Sequence, residues 1–262
     1  MTKKIFKILL PLMILSLMPI CSFAITDAEG KAILKKSDEN TTYKDSDFKA
    51  DYVMVQDKPG QGKSETKATM YRRDSKLMYT IRITSPESDK GKGYVQFDES
   101  IWFYDPHDKQ FTFTSAKNKF QNTNLNNSDL SPQNFSRDYT ISKMTEVTLG
   151  KFNCILFELK AAVKNVDYPT VKLWIGKEDC VVRKREDYSL SGQLLRTTAI
   201  PSYQNVEGHL VPAGMVIIDN LRGSKINGKM QYEKTQITIS NVSFQKQKDV
   251  VYSKQYLETM SD

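Results

Sequence analysis

Two histidines, His107 and His209, are the natural general bases of this chain, and each stands alone. His107 lies in Asp105-Pro106-His107-Asp108 and His209 follows Glu207-Gly208, so both fall in turns, with no cysteine or second histidine at metal-ligand spacing. Such a histidine is a solvated side chain unless the fold brings a nucleophile beside it. No HExxH, Walker loop, GxSxG or CxxC occurs. Ser189-Leu190-Ser191-Gly192 lacks the leading glycine of a nucleophile elbow. Gly60-Gln61-Gly62 and Gly91-Lys92-Gly93 are turn glycines without the strand-to-helix setting that cradles phosphate. Glu178-Asp179 is a turn pair that nothing makes an acid/base couple. No catalytic residue, metal site or cofactor is therefore assigned.

The remaining reactive groups are cysteines and a basic run. A simple meander puts strand 170–176 between strand 152–160, which carries Cys154, and strand 180–188, which opens with Cys180. Two strand spacings are ~9.6 Å, beyond the ~7 Å Cα separation that a disulfide spans. Either these cysteines stay apart or the strand order is not a simple meander. Arg183-Lys184-Arg185 alternates so that Lys184 takes one face and the two arginines the other. It reads as a solvated strand rim, with a rim site for an acidic lipid headgroup as the sharper alternative.

The elements that must position these residues are mostly strands. Leu77, Tyr79, Ile81 and Ile83 alternate with Met78, Thr80, Arg82 and Thr84. Phe111 and Phe113 alternate with threonines, Ile155, Phe157 and Leu159 recur every second residue, and so do Val171, Leu173 and Ile175, and Ile237 and Ile239. Period two with one apolar face is a sheet covered on one side. Asp57-Lys58-Pro59-Gly60, Asp105-Pro106-His107-Asp108, Ser191-Gly192 and Asn227-Gly228 are turns, so neighbouring strands are antiparallel. Nine to eleven strands in one meander are too many for a flat sheet, which should curl toward a barrel. Residues 25–36 read as a helix capped by Thr26 or Asp27, with Ala28, Ala32 and Ile33 on one side. Residues 117–138 are polar and Asn-rich and read as a long insertion with a short helix opening at Ser131-Pro132. Helices this short leave part of the concave face bare. That remainder is either closed by the sheet curling on itself or filled by an apolar guest.

Composition sets the outer bounds. The chain has 262 residues, 39% hydrophobic and 26% charged, with 38 Lys+Arg against 31 Asp+Glu. Disordered, collagenous and disulfide-dense classes are excluded. Lys3, Lys4 and Lys7, the apolar run 8–20 and Ser22-Phe23-Ala24 make a secretory leader cleaved after Ala24. A lipid anchor at Cys21 would need a small residue before it, and Ile20 is not small. Removing the leader's three lysines lowers the net charge from +7 to +4, which gives no nucleic-acid footprint. Residues 25–262 then form a single exported domain.

Four blocks, in order, resemble the LolA-like outer-membrane lipoprotein-sorting family. They are Ser85-Pro86-Glu87-Ser88 with Lys90-Gly91 and Gly93-Tyr94, Ile101-Trp102-Phe103-Tyr104-Asp105-Pro106, Ser128-Asp129-Leu130-Ser131, and Arg185-Glu186-Asp187-Tyr188 with Gly192 and Leu195-Arg196-Thr197. The resemblance covers roughly residues 48–245. It departs at Asn134, where an acid is expected, and at Asp105. It implies a mostly β (α+β) chain: a strongly curved, incompletely closed antiparallel β-barrel with short helices over its concave face. It also implies a periplasmic carrier whose cavity holds acyl chains of lipids or lipoproteins and moves them toward the outer membrane, with no catalytic set carried over.

Combining alternation with the resemblance, the expected cavity wall is Leu77, Tyr79, Ile81, Ile83, Val95, Phe97, Phe111, Phe113, Ile155, Phe157, Leu159, Leu173 and Ile175, with Leu130 and Phe135 in the lid. Trp102 and Tyr104 are ambiguous, because Ile101 and Phe103 are apolar too. The expected partners are acyl chains and transient membrane or envelope-protein contacts. Two rival functions stand beside the carrier: an envelope sensor or scaffold for lipidated or extended peptides, and a lipid hydrolase using His107 or His209.

Overall fold

A computed structural model describes residues 25–97 and 99–260. The leader assigned to residues 1–24, with Cys21, lies outside the described residues. Helix α1 (Asp27–Glu39) opens on a capping box: the Thr26 hydroxyl accepts the Glu29 N–H at 3.3 Å, and the Glu29 carboxylate accepts the Thr26 N–H at 2.9 Å. Its buried side is Gly30, Leu34, Ser37 and Asp38, whereas Ala28 and Ala32 of the expected side are exposed. Gly30 faces the sheet, and a Cβ there would displace the sulfur and methyl at the end of the Met144 side chain.

The strands are β1 (Phe48–Lys58), β2 (Gly62–Arg73), β3 (Met78–Ser85), β4 (Gly93–Phe97), β5 (Ser100–Asp105), β6 (Gln110–Thr114), β7 (Tyr139–Leu149), β8 (Phe152–Ala161), β9 (Thr170–Gly176), β10 (Val182–Tyr188), β11 (Leu194–Val206), β12 (His209–Ile226) and β13 (Lys229–Ser243). They make one sheet of 13 strands rather than nine to eleven, and every pairing is antiparallel. It is not one meander but two joined at the middle. The order β6-β5-β4-β3-β2-β1-β13-β12-β11-β10-β9-β8-β7 pairs the first strand with the last. The sheet curves but does not close, and β6 and β7 are its two free edges. The segment between them must therefore cross from one edge to the other, which is why the insertion is too long for a hairpin.

That crossing segment runs over the concave face. Phe120, Leu125 and Leu130 are buried in a cluster with Met54, Ile81, Tyr94, Ile217 and Ile237. Leu34 of α1 and Phe135 of the short helix α2 (Phe135–Asp138) join Ile155, Phe157, Leu159, Leu173 and Ile175 in a second cluster. The helix expected to open at Ser131-Pro132 is thus split. A 3-10 turn spans Asn127–Leu130, and α2 begins after Asn134. Asp38 supplies the carboxylate there: it accepts the Phe135 and Ser136 N–H groups at 3.0 and 2.7 Å.

Five expected wall residues are elsewhere. Leu77 sits in a left-handed turn (φ 52°) before β3 and is 49% exposed. Val95, Phe97 and Phe111 point to the convex face, where they pack with Tyr104, Trp102 and Leu257. Phe113 lies beside Trp102 and is 62% exposed. The cause is a C-terminal helix, α3 (Lys254–Thr259), whose Leu257 buries the back of β4 and β5. Alternation alone reads either apolar face as the inner one when both are covered. Arg73 holds this C-terminal segment in place by donating to Asp47 at 2.8 and 2.7 Å, to Asp249 at 2.5 Å and to the Gln247 carbonyl at 2.8 Å.

Candidate functional site: a covered apolar cavity

The two clusters fill the flanks of the concave face, and between them space remains. The cavity has a volume of about 170 Å³ and opens to solvent. Its floor is Tyr52, Ile239, Val211, Met215, Ile217 and Ile200 of the central strands. Its roof is Leu125, Leu130, Pro132 and Phe135 of the crossing segment, and Ser37, Asp38 and Thr41 close one side. Leu130 and Phe135 are where the sequence puts the lid. None of the thirteen expected wall residues lines the void. Tyr79, Ile81, Ile83, Ile155, Phe157, Leu159, Leu173 and Ile175 do face inward, but as the packed flanks. Leu34 of α1 fills one flank and Phe120 of the crossing segment the other, and the stretch from Leu125 to Phe135 spans the space left between them.

Sequence reading missed the polar side of the cavity. Arg183 and Arg185 are no solvated rim: Arg185 pairs across β9 with Leu173, on the inner face, and its side chain is 11% exposed. It donates to Asp187 at 2.6 Å and to Gln133 of the roof at 3.1 Å. Arg196 donates to Asp187 at 2.9 Å and holds Asp129 of the roof through two contacts, one of them at 2.9 Å. Asp187 is fully buried and Arg196 3% exposed. Burial pushes the Asp129 carboxyl up, but Arg196 and Arg185 outweigh it and hold the group below the usual carboxylate range. Burial opposes the charge on Arg196 as well, yet Asp129 and Asp187 raise its pKa. Two arginines and two aspartates therefore form a balanced buried network that latches the roof to β10 and β11. The residues were visible as two of the four sequence blocks; that they meet was not.

A second set of groups sits at the cavity's other end. Arg72 donates to both Asp74 oxygens at 2.6 and 2.7 Å and to the Thr41 carbonyl at 2.6 Å, with Tyr43 and Phe48 against its guanidinium. Burial pushes the Tyr52 hydroxyl up to about 12, so it is neutral at physiological pH. Burial also raises the Asp38 pKa, the only lining carboxylate here without a cation partner within 4 Å among the described residues. Each other lining charge has a buried counter-charge, so the void offers apolar surface rather than a free ionic anchor.

The groups first weighed for chemistry are scattered. His107 is in the β5–β6 turn, its N–H on Asp105 at 3.0 Å. His209 begins β12 with its ring against Phe244 and Tyr43. Neither lines the cavity. Cys154 and Cys180 are both free thiols, with β9 lying between β8 and β10 as a meander requires. Among the described residues there is no cluster of His, Cys, Asp or Glu able to hold a metal ion, and no helix long and apolar enough to cross a membrane.

A protein-family model described as "Uncharacterized protein" matches residues 75–259, well over half of the chain. No match is found among curated proteins. Among solved structures the fold is similar to a LolA superfamily protein from Nitrosomonas europaea, at 22% identity and TM-score 0.71, covering 89% of this chain and 100% of that one. It is similar to a putative outer membrane lipoprotein-sorting protein domain from Vibrio parahaemolyticus, at 16% identity and TM-score 0.75, covering 89% and 100%. It is also similar to a DUF1329 family protein from Desulfovibrio piger, at 17% identity and TM-score 0.74, covering 88% and 98%. These likenesses establish the fold.

Proposed function

For a chain that belongs to the family whose model, described as "Uncharacterized protein", spans residues 75–259, and that has the LolA-superfamily fold, we propose a carrier role: it binds an acyl chain of a lipid or lipoprotein beneath the roof segment. The observation that carries this reading is the void itself, floored by Met215, Ile217 and Ile239 and roofed by Leu125, Leu130 and Phe135. An acyl chain gains ~0.8 kcal/mol per methylene taken out of water, so ten methylenes supply on the order of 8 kcal/mol. The roof must move for entry, and the ionic latch sets what that costs. The proposed work is burial of an acyl chain, and His107 and His209 both lie outside the lining. The leader expected from sequence at residues 1–24 and the lipoprotein-sorting fold neighbour support a periplasmic site of action, with cargo passing toward the outer membrane.

The test is native mass spectrometry of protein purified from membrane-containing cells, with titration of a fluorescent fatty acid. Copurified lipid is expected, and Met215→Trp, which fills the floor, should abolish binding while the fold survives. Absence of both lipid and binding, or undiminished binding by Met215→Trp, removes the proposal.

A further inference from the structure

At one end of the sheet the β12–β13 hairpin departs from the regular ladder. The register passes from Ile218↔Lys234 to Gly223↔Tyr232, so four residues of β12 (219–222) stand against one of β13 (Glu233). Asp219 fixes this bulge by accepting the N–H groups of Leu221 and Arg222 at 3.0 and 3.2 Å. Gly223 then passes so near the partner strand that a Cβ would stand 2.2 Å from the Gln231 carbonyl oxygen. Beyond the bulge the hairpin presents Leu221, Met230 and Tyr232, which are 56%, 49% and 41% exposed. Met230 and Tyr232 are two apart and share a face with Lys225, the cross-strand partner of Met230.

The same tip is basic. Arg222, Lys225 and Lys229 are exposed and have no carboxylate within 4.0 Å among the described residues. Of the nearby acids, Asp57 pairs with Lys63 and Lys234, and Asp219 with Lys119 of the roof segment, while Glu233 has no cation within 4.0 Å among the described residues. Residues 221–234 hold four cations and one acid, Glu233. The β1–β2 turn lies alongside, Gly60 approaching Ile226, and brings Lys58.

We propose that this hairpin docks the protein on an anionic lipid bilayer. A narrow projecting tip with Leu, Met and Tyr side chains and unpaired lysines and arginine suits the headgroup boundary. The apolar groups enter it, Tyr232 sits at its polar edge, and the cations meet lipid phosphates. The site stands independently of what the cavity holds, but it adjoins the roof. Asp219 pairs with Lys119, and Thr235, next to Lys234, accepts the Asn124 N–H at 2.8 Å. A carrier that meets a membrane through this tip meets it beside the segment that must open.

Cosedimentation with phosphatidylglycerol/phosphatidylcholine vesicles, against phosphatidylcholine alone, tests it at ~0.1 M salt, where screening acts over ~10 Å. The protein should sediment with the anionic vesicles only. Lys225→Gln with Lys229→Gln should lower partitioning about 25-fold, at about fivefold per cation. Leu221→Ser with Met230→Ser and Tyr232→Ser should abolish it, while Lys31→Gln with Lys151→Gln, exposed lysines on other elements, leaves it unchanged. All three variants alter exposed side chains, and an unchanged unfolding midpoint certifies each fold. No binding to anionic vesicles, equal binding to neutral ones, wild-type binding by the hairpin variants, or an equal fall in the control pair overturns the docking role. None of these outcomes bears on fatty-acid binding by the cavity, which is measured without vesicles.

Discussion

Asp129→Asn isolates the latch that holds the roof. In the native protein Arg185 and Arg196 face Asp187 and Asp129, with Arg196 3% and Asp187 0% exposed. Removing one carboxylate charge leaves two buried guanidinium groups against a single acid. Breaking one partner of such a buried set costs ~3–5 kcal/mol. At ~1.4 kcal/mol per decade, the lower figure raises the population of the open roof roughly 150-fold. The assay is hydrogen exchange read by mass spectrometry. Peptides covering 117–138 should lose protection by that factor, while those of β1 and β13, at the centre of the sheet, keep theirs. Adding Arg196→Met restores charge balance between Arg185 and Asp187, so the double variant should lose less than the two singles together. The pH arm has a fixed sign. Asp129 is depressed in the folded protein, so its contribution is complete above the unfolded carboxylate value of ~3.9 and is lost as pH falls through the folded value. The difference between wild type and Asp129→Asn should therefore shrink in acid. Unchanged roof protection, a uniform loss across all peptides, or strict additivity in the double variant would refute the latch.

Three other outcomes follow from the packing. For the carrier reading, affinity for a series of saturated acyl chains should rise about fourfold per methylene, the factor for ~0.8 kcal/mol, and level off once the void is full; a titration series showing no length dependence contradicts it. Gly30→Val should destabilise by ~1–3 kcal/mol through overpacking against Met144, and Met144→Ala in the same chain should recover part of that loss in urea unfolding. Arg73→Met should release the C-terminal segment, so that limited proteolysis cuts first between residues 245 and 260. The cost of ~3 kcal/mol comes mainly from the buried Asp47, because Asp249 is 88% exposed and a surface ion pair is worth little.

The Asp38 contact shows how the chain compensates a departure in its own sequence. The expected acid at position 134 is Asn134, whose side chain makes no cap on α2. Asp38, at the far end of α1, accepts the two N–H groups instead, at 3.0 and 2.7 Å. α1 thus secures the roof as well as filling one flank.

Much of this was written in one dimension. Period-two alternation at Tyr79, Ile81 and Ile83, and at Ile155, Phe157 and Leu159, is a consequence of the pleat and identifies strands without any tertiary knowledge. The Thr26/Glu29 pair and the Asn227-Gly228 turn act within a few residues and are readable for the same reason. The insertion at 117–138 and its Leu130 and Phe135 were also apparent, since a polar interruption between apolar strands is a local signal. Which face is inside is not local. Alternation divides Val95, Phe97 and Phe111 from Tyr94 and Ile101, but only α3, arriving from more than 140 residues away, makes the former set an interior of its own. The β1–β13 pairing likewise turns one meander into two, sends the insertion across the concave face, and brings Arg185 and Arg196 to Asp129. Local backbone preference selects strand or turn residue by residue, whereas an interior exists only where distant segments cover one another. The cavity and its latch belong to that second kind of information.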